Sequence, residues 1–221
     1  MPSRYESICY EPELQKHFGI ALRSAPAAEL RRDVVPGCAA PFLRRPKPGA
    51  EEAGTGAARE MMVGLFGLLP HWAKDDKLAR STHNAHSETV ATHPTFRDAW
   101  STGKRCIIPV QAFHVSDWRT GQPLTARIAR ADHRPMGVAG LWSWWRSPAG
   151  NDVLSFTMLT INARSHELMR NFLRPEDEKR VIVVLDEVDY DPWLQAPVAL
   201  AKEFLRPWAP GALVSSTGLR S

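Results

Sequence analysis

Residues 105–113 read Arg-Cys-Ile-Ile-Pro-Val-Gln-Ala-Phe. From Cys106 to Phe113 the segment is apolar and rich in β-branched side chains, and it predicts a strand. Three more strands are expected downstream, at Pro123–Ala129, Met136–Trp145 and Val153–Ile161, the last carrying Leu154, Phe156, Met158 and Thr160. Upstream, the apolar run Met61–Leu69 reads as a strand that ends at Pro70 in a turn bearing His71 and Trp72, and Val34–Leu43 reads as extended. Further along, Val181–Leu185 has the composition of a buried strand.

Helices are expected between and after these strands. Glu11–Phe18 sets Leu14 and Phe18 four apart, and Thr92–Trp100 does the same with Phe96 and Trp100. Ser165–Phe172, Val188–Leu194 and Val198–Phe204 complete the set. Residues 44–60, with Pro46, Pro48, Gly49, Gly54 and Gly56 and few large apolar residues, predict a mobile surface loop. Strands crowd the middle without βαβ alternation, and no repeat or linker divides the chain. The expectation is therefore one α+β domain over residues 1–221.

At 221 residues and 43% hydrophobic content the chain can bury a core. It has no apolar run of 18 residues and no charged N-terminal segment followed by an apolar stretch, which predicts a cytoplasmic protein with no membrane partner. Cys9, Cys38 and Cys106 form no C-x-x-C pair, so free thiols are expected rather than disulfides or a thiolate metal site. A formal charge of +4, weighted toward arginine, admits a polyanionic partner or simply a solvated basic face.

Four segments together carry a resemblance. Met1-Pro2-Ser3-Arg4-Tyr5, Gly67–Asp75 (Gly-Leu-Leu-Pro-His-Trp-Ala-Lys-Asp), Asn84–Thr89 (Asn-Ala-His-Ser-Glu-Thr) and Arg105–Phe113 occur in that order. They resemble the M-C-G/S-R-F/Y, W-G-L-I-P-x-W-A-K-D, N-A-R-S-E-T and R-C-L-I-P-A-x-G-F segments of the SRAP family, the SOS response-associated peptidases. Gly140–Trp142, Thr160–Ala163 and Val181–Leu185 fit later elements of the same family. The resemblance implies a strongly bent, barrel-like, mostly antiparallel β core with peripheral helices. It also implies a hydrolase and peptidase chemistry connected with DNA damage and the SOS response; no cofactor is expected.

In that chemistry an N-terminal cysteine closes a thiazolidine on the aldehyde of an abasic site in single-stranded DNA, forming a DNA-protein crosslink. An asparagine holds the terminus, while a glutamate and a histidine manage protons. Here the cysteine position is Pro2, which has no thiol. Asn84 matches the asparagine. Val115 stands at the glutamate position, with Asp117 a substitute only after a two-residue shift. Leu173 is the counterpart of the histidine, with His166 a substitute only in another register. A pseudoenzyme that still binds single-stranded DNA is the first expectation.

Two alternatives stay open: an active enzyme that uses the Pro2 amine, after loss of Met1, as a Schiff-base nucleophile, and a protein-interaction module on a retired scaffold. The resemblance makes Arg4 a phosphate contact, against a surface salt bridge. His86 replaces the arginine of the asparagine motif and keeps some hydrogen-bonding capacity. Phe66 and Trp72 are candidates to stack on bases, or else to pack in the core. Arg174 and Arg180 are candidate backbone contacts, and His71, His83 and His86 lack a carboxylate or thiol at metal-ligand spacing.

Overall fold

Pleated alternation over the middle of the chain produces a sheet of 12 strands curled on itself. A computed structural model describes residues 2–20, 31–46, 59–174, 176–209 and 211–217. In chain order the strands are β1 (Arg4–Ser7), β2 (Asp33–Val34), β3 (Ala39–Arg44), β4 (Glu60–Phe66), β5 (Asn84–His86), β6 (Arg105–Asp117), β7 (Leu124–Arg130), β8 (Met136–Arg146), β9 (Asp152–Asn162), β10 (Arg180–Ile182), β11 (Val184–Leu185) and β12 (Leu213–Thr217). The helices are α1 (Glu11–Phe18), α2 (Arg97–Ser101) and α3 (Tyr190–Gln195). Hydrogen bonds run from β8 to β9, β4, β3, β6 and back to β8, which closes a ring of five strands. This is the expected α+β fold with a barrel-like, mostly antiparallel core. Among these strands only β4 and β5 run parallel to a neighbour, in both cases β9. Among the described residues no helix is long and apolar enough to cross a membrane.

Strand β6 is longer than its apolar run, because it belongs to two parts of the sheet. Its first half, Arg105–Val110, pairs with β8, and its second half, Ala112–Asp117, pairs with β7. Along the other edge it meets β3 at Ile107 and then β1 from Val110 to His114. Pro109, which lacks an N–H, falls where that edge changes partner, so the proline is tolerated inside a long strand.

The barrel interior is aromatic. Phe42, Phe66 and Phe156 are all fully buried, with Phe156 centred 5.4 Å from Phe42 and 5.6 Å from Phe66. Tyr5 reaches in from β1 and meets Phe66 edge-on at 5.1 Å. Each such ring removes enough apolar surface from water to contribute about 1.5–3 kcal/mol, so this cluster fixes where β1, and with it the N-terminus, must lie. The ring closes tightly at Gly140, where a Cβ would stand 2.6 Å from the Thr157 carbonyl oxygen and 2.3 Å from Ile108 Cδ1.

Several local expectations change. Helix α1 has the expected bounds, with Pro12 in its first turn and Gly19 closing it in the left-handed region at φ 59°. Of the helix expected over Thr92–Trp100 only its end appears, as α2, because Pro94 cannot donate and leaves a string of turns before it. Ser165–Phe172 is not a helix. It holds one 3-10 turn at Met169–Asn171, since the ring of His166 takes the N–H groups of Leu168 and Met169.

The C-terminal elements change as well. Val198–Phe204 likewise shortens to a 3-10 turn at Ala201–Phe204. The strand expected at Val181–Leu185 splits into β10 on β9 and β11 on β8. Val183 between them donates to Leu159 and accepts from Ala139, bridging both neighbours. Strand β12 was not anticipated. Most of the loop expected over 44–60, residues 47–58, lies outside the described residues.

Gly67 ends β4 and turns the chain into the Leu68–Trp72 segment at φ 125°. A Cβ there would meet the Ala79 carbonyl oxygen at 1.9 Å. Substituting Gly67→Ala is therefore expected to cost about 3 kcal/mol, combining backbone strain with a steric clash. Chemical denaturation measures this directly, and a loss under about 0.5 kcal/mol, the range of neutral surface changes, would contradict it.

Candidate functional site

Carried to the barrel by β1, the N-terminus is held there by a side chain as well. Asn84, at the start of β5 and 6% exposed, donates from Nδ2 to the carbonyl of Pro2 at 2.7 Å. Its Oδ1 is also buried and has no hydrogen-bond partner among the described residues. β5 is anchored by parallel pairing to β9, with Asn84 opposite Met158 and His86 opposite Thr160. Asn84 and His86 thus share one face of β5, while Ala85 between them is fully buried.

The same edge of β6 gathers the next two positions. The β1–β6 ladder ends at the pair Arg4 and His114. Just beyond, the N–H of Leu173 donates to the Ser116 carbonyl at 2.8 Å, so the 172–174 loop occupies the edge that β1 leaves open. Val115, 5% exposed, lies between these contacts. Leu173 adopts φ 63°, an uncommon conformation for a leucine. The loop is held there by Lys179, whose ammonium donates to the carbonyls of Phe172 at 2.7 Å and Leu173 at 3.1 Å, and also to that of Arg174.

The substitute acid and the substitute base are both engaged with partners of their own. Asp117 is on the same face of β6 as Val115 but one pleat further, about 7 Å along the strand. Both its oxygens are taken by Arg119, at 2.7–3.1 Å. Those hydrogen bonds hold its carboxyl below the usual range, so Asp117 is an ionised staple of the β6–β7 turn. His166 accepts with Nδ1 inside its own turn, and burial pushes its pKa down.

Two expected DNA contacts are also internal. Phe66 is fully buried among Tyr5, His83 and Phe156 and offers no face to a base. Arg180, its side chain 2% exposed, donates to Thr160, Glu178 and Glu88, which ties β10 to β9 and to the Asn84–Thr89 segment. Phe66 thus takes the core alternative, and Arg180, expected as a backbone contact, is internal because composition does not reveal which side of a strand is turned inward.

The remaining candidates are at the surface. Arg4 is half exposed and bound to Asp33 at 2.7 Å, and Trp72 is 48% exposed. Arg174 lies over the ring of Trp118 at 4.4 Å. His86 is partly buried, which lowers its pKa, and the neighbouring Arg180 charge lowers it further. His83, read in the sequence as a hydrogen-bonded or surface histidine rather than a metal ligand, also lies here. It directly precedes Asn84 and packs edge-on against Phe66 at 5.5 Å, and burial pushes its pKa down. Its place next to the asparagine motif was the available signal. Among the described residues no cluster of His, Cys, Asp or Glu has the arrangement of a metal site.

A family model described as SOS response associated peptidase (SRAP) matches residues 1–216. The chain belongs to the SRAP family. A solved structure from Bordetella bronchiseptica is 35% identical to this SRAP chain, with a TM-score of 0.85, covering 99% of this chain and all of its own. One from Bacteroides thetaiotaomicron shares the fold at 17% identity and TM-score 0.74, covering 96% of this chain and 90% of its own. Among curated relatives, the abasic site processing protein YoqW of Bacillus subtilis is 33% identical over 132 residues, 58% of this chain and 54% of YoqW. HMCES of Gallus gallus, also named an abasic site processing protein, is 25% identical over 150 residues, 58% of this chain and 44% of its own. The chain spans about half the length of the curated relatives it matches.

Two outcomes follow from this geometry. Asn84→Ala removes a buried donor from the Pro2 carbonyl, so it is expected to cost about 1–3 kcal/mol and to speed amide exchange at the N-terminus; unchanged exchange at Ser3 would contradict the clamp. Because burial depresses His83, His86 and His166 below their ordinary 6.5, the stability they contribute is present above about pH 6.5 and lost as pH falls through their folded values. The thermal midpoint should therefore decline between pH 6.5 and 5, before carboxylates titrate, and a flat profile there would contradict the assignment.

Proposed function

We propose that this SRAP protein recognises abasic sites in single-stranded DNA without forming the family's thiazolidine crosslink. The reading is carried by one observation: the residue clamped by Asn84 is Pro2, which has no thiol to close the ring. Apolar Val115 and Leu173 occupy the positions matched to the family's glutamate and histidine, so neither acid nor base stands there. A cytoplasmic setting and a single SRAP unit over residues 1–221 complete this reading. Recognition then rests on the positive surface near the terminus, through Arg4 and Arg174, with Trp72 as a stacking face.

A second reading is favoured by the unpartnered Oδ1 of Asn84. If Met1 is removed, the Pro2 nitrogen becomes a secondary amine that this oxygen could receive as a donor. With a terminal pKa of about 8, part of it is unprotonated at neutral pH and can condense with an aldehyde.

Both readings are tested with single-stranded DNA carrying one abasic site, run on native gels at graded salt and on denaturing gels with and without borohydride. The expected result is a salt-sensitive native complex with no band that survives denaturation. A band trapped only by borohydride, and only in protein lacking Met1, would replace this reading with the Pro2 amine. Absence of any salt-sensitive complex would overturn both and leave a protein-interaction role.

A further inference from the structure

Beyond the Pro2–Asn84 site, the end of the β6–β7 hairpin and the 168–174 turn enclose a pocket of about 370 Å³ lined by Trp118, Arg119, Arg170, Asn171, Leu173 and Lys179. Leu173 lines this pocket and also bonds to Ser116 on the edge of β6 just beyond β1, so the pocket adjoins the end of the strand that carries the N-terminus. Its charge is one-sided. Among the described residues the exposed Arg170 has no acidic partner, and neither has the Arg174 guanidinium, which rests on the Trp118 ring. Arg119 lies over Phe172 at 5.0 Å, and Asp117 occupies its Nε and Nη2. The three protons of Lys179 go to backbone carbonyls, but its charge remains.

Unpaired guanidinium groups on a surface attract anions, and their planar forks match phosphate oxygens. A volume near the lower end of ligand pockets, about 300–1,000 Å³, suits one nucleotide rather than an extended segment. The aromatic rings beneath Arg119 and Arg174 hold both forks in place, which reduces the side-chain entropy given up on binding.

We propose that this pocket, with Arg170 in its lining and Arg174 stacked on Trp118 beside it as the anion-binding groups, takes a backbone phosphate of the DNA strand whose abasic site lies at Pro2. The inference rests on the DNA-binding reading above. A strand leaving the N-terminal site would cross Leu173 and place its next phosphates over these arginines. No base is read there, so the subsite is indifferent to sequence and to the lesion itself.

The test compares the natural chain, R170Q/R174Q, and R146Q as a control on an exposed arginine elsewhere. Each is titrated with the same single-stranded oligonucleotide, intact or abasic, at several salt concentrations, after thermal unfolding has shown the variants folded. The double variant is expected to bind both oligonucleotides more weakly, with a salt slope shallower by about 0.7 for each phosphate it no longer neutralises, while R146Q matches the natural chain. Equal affinity and slope for R170Q/R174Q and the natural chain would overturn the phosphate subsite and leave the DNA-binding reading intact. No binding by the natural chain would remove both. Weakening confined to abasic DNA would also overturn the proposal, since a backbone phosphate does not distinguish the lesion.

Discussion

Everything in this molecule hangs on one strand that is paired along both edges. Strand β6 closes the five-stranded ring with its first half and carries β1 and β7 with its second. Because side chains alternate along it, the interior positions Phe113, Val115 and Asp117 have fixed places relative to the barrel. The N-terminus is then located twice over, by the pairing of β1 with β6 and by the Asn84 hydrogen bond to Pro2. A terminus held this way keeps its place without a thiol at position 2.

The frame does not require a cysteine, a glutamate or a histidine at positions 2, 115 and 173. Pro2 accepts the Asn84 hydrogen bond through its carbonyl, which any residue would supply, so the clamp does not require a cysteine side chain. Val115 packs as one more interior residue of β6. Leu173 keeps its backbone bond to Ser116 despite a left-handed conformation, because Lys179 binds the carbonyls on either side. Charge, meanwhile, is internalised: Arg180 is matched by Glu88 and Glu178, and Asp117 by Arg119. Buried charges left unpaired would cost several kcal/mol, so these pairs belong to the scaffold.

Much of the fold was legible in the residues. The strands at 105–113, 123–129, 136–145 and 153–161 announced themselves by apolar, β-branched runs, and α1 by Leu14 and Phe18. What was hidden depended on tertiary partners. β12 is short and half polar, and it is a strand only because β7 offers an edge. The 165–172 segment has helical spacing, but the His166 ring competes for its N–H groups. At the site, Pro2 and Asn84 were legible through the family motifs, whereas the inward turn of Phe66 and Arg180 could not be read from spacing. Arg170 carried no signal at all, since its place beside Trp118 follows from the crossing of a loop and a hairpin far apart in the chain.

On the proposed function, the missing thiol at position 2 comes first among the departures, with Val115 and Leu173, that separate this protein from its family's covalent chemistry. The most direct measurement is to incubate Pro2→Cys, with removal of its initiator methionine verified by mass spectrometry, with abasic single-stranded DNA and no reductant. A denaturation-resistant adduct is expected for P2C and none for the natural chain. An equally stable adduct from the natural chain under the same conditions would contradict the proposal.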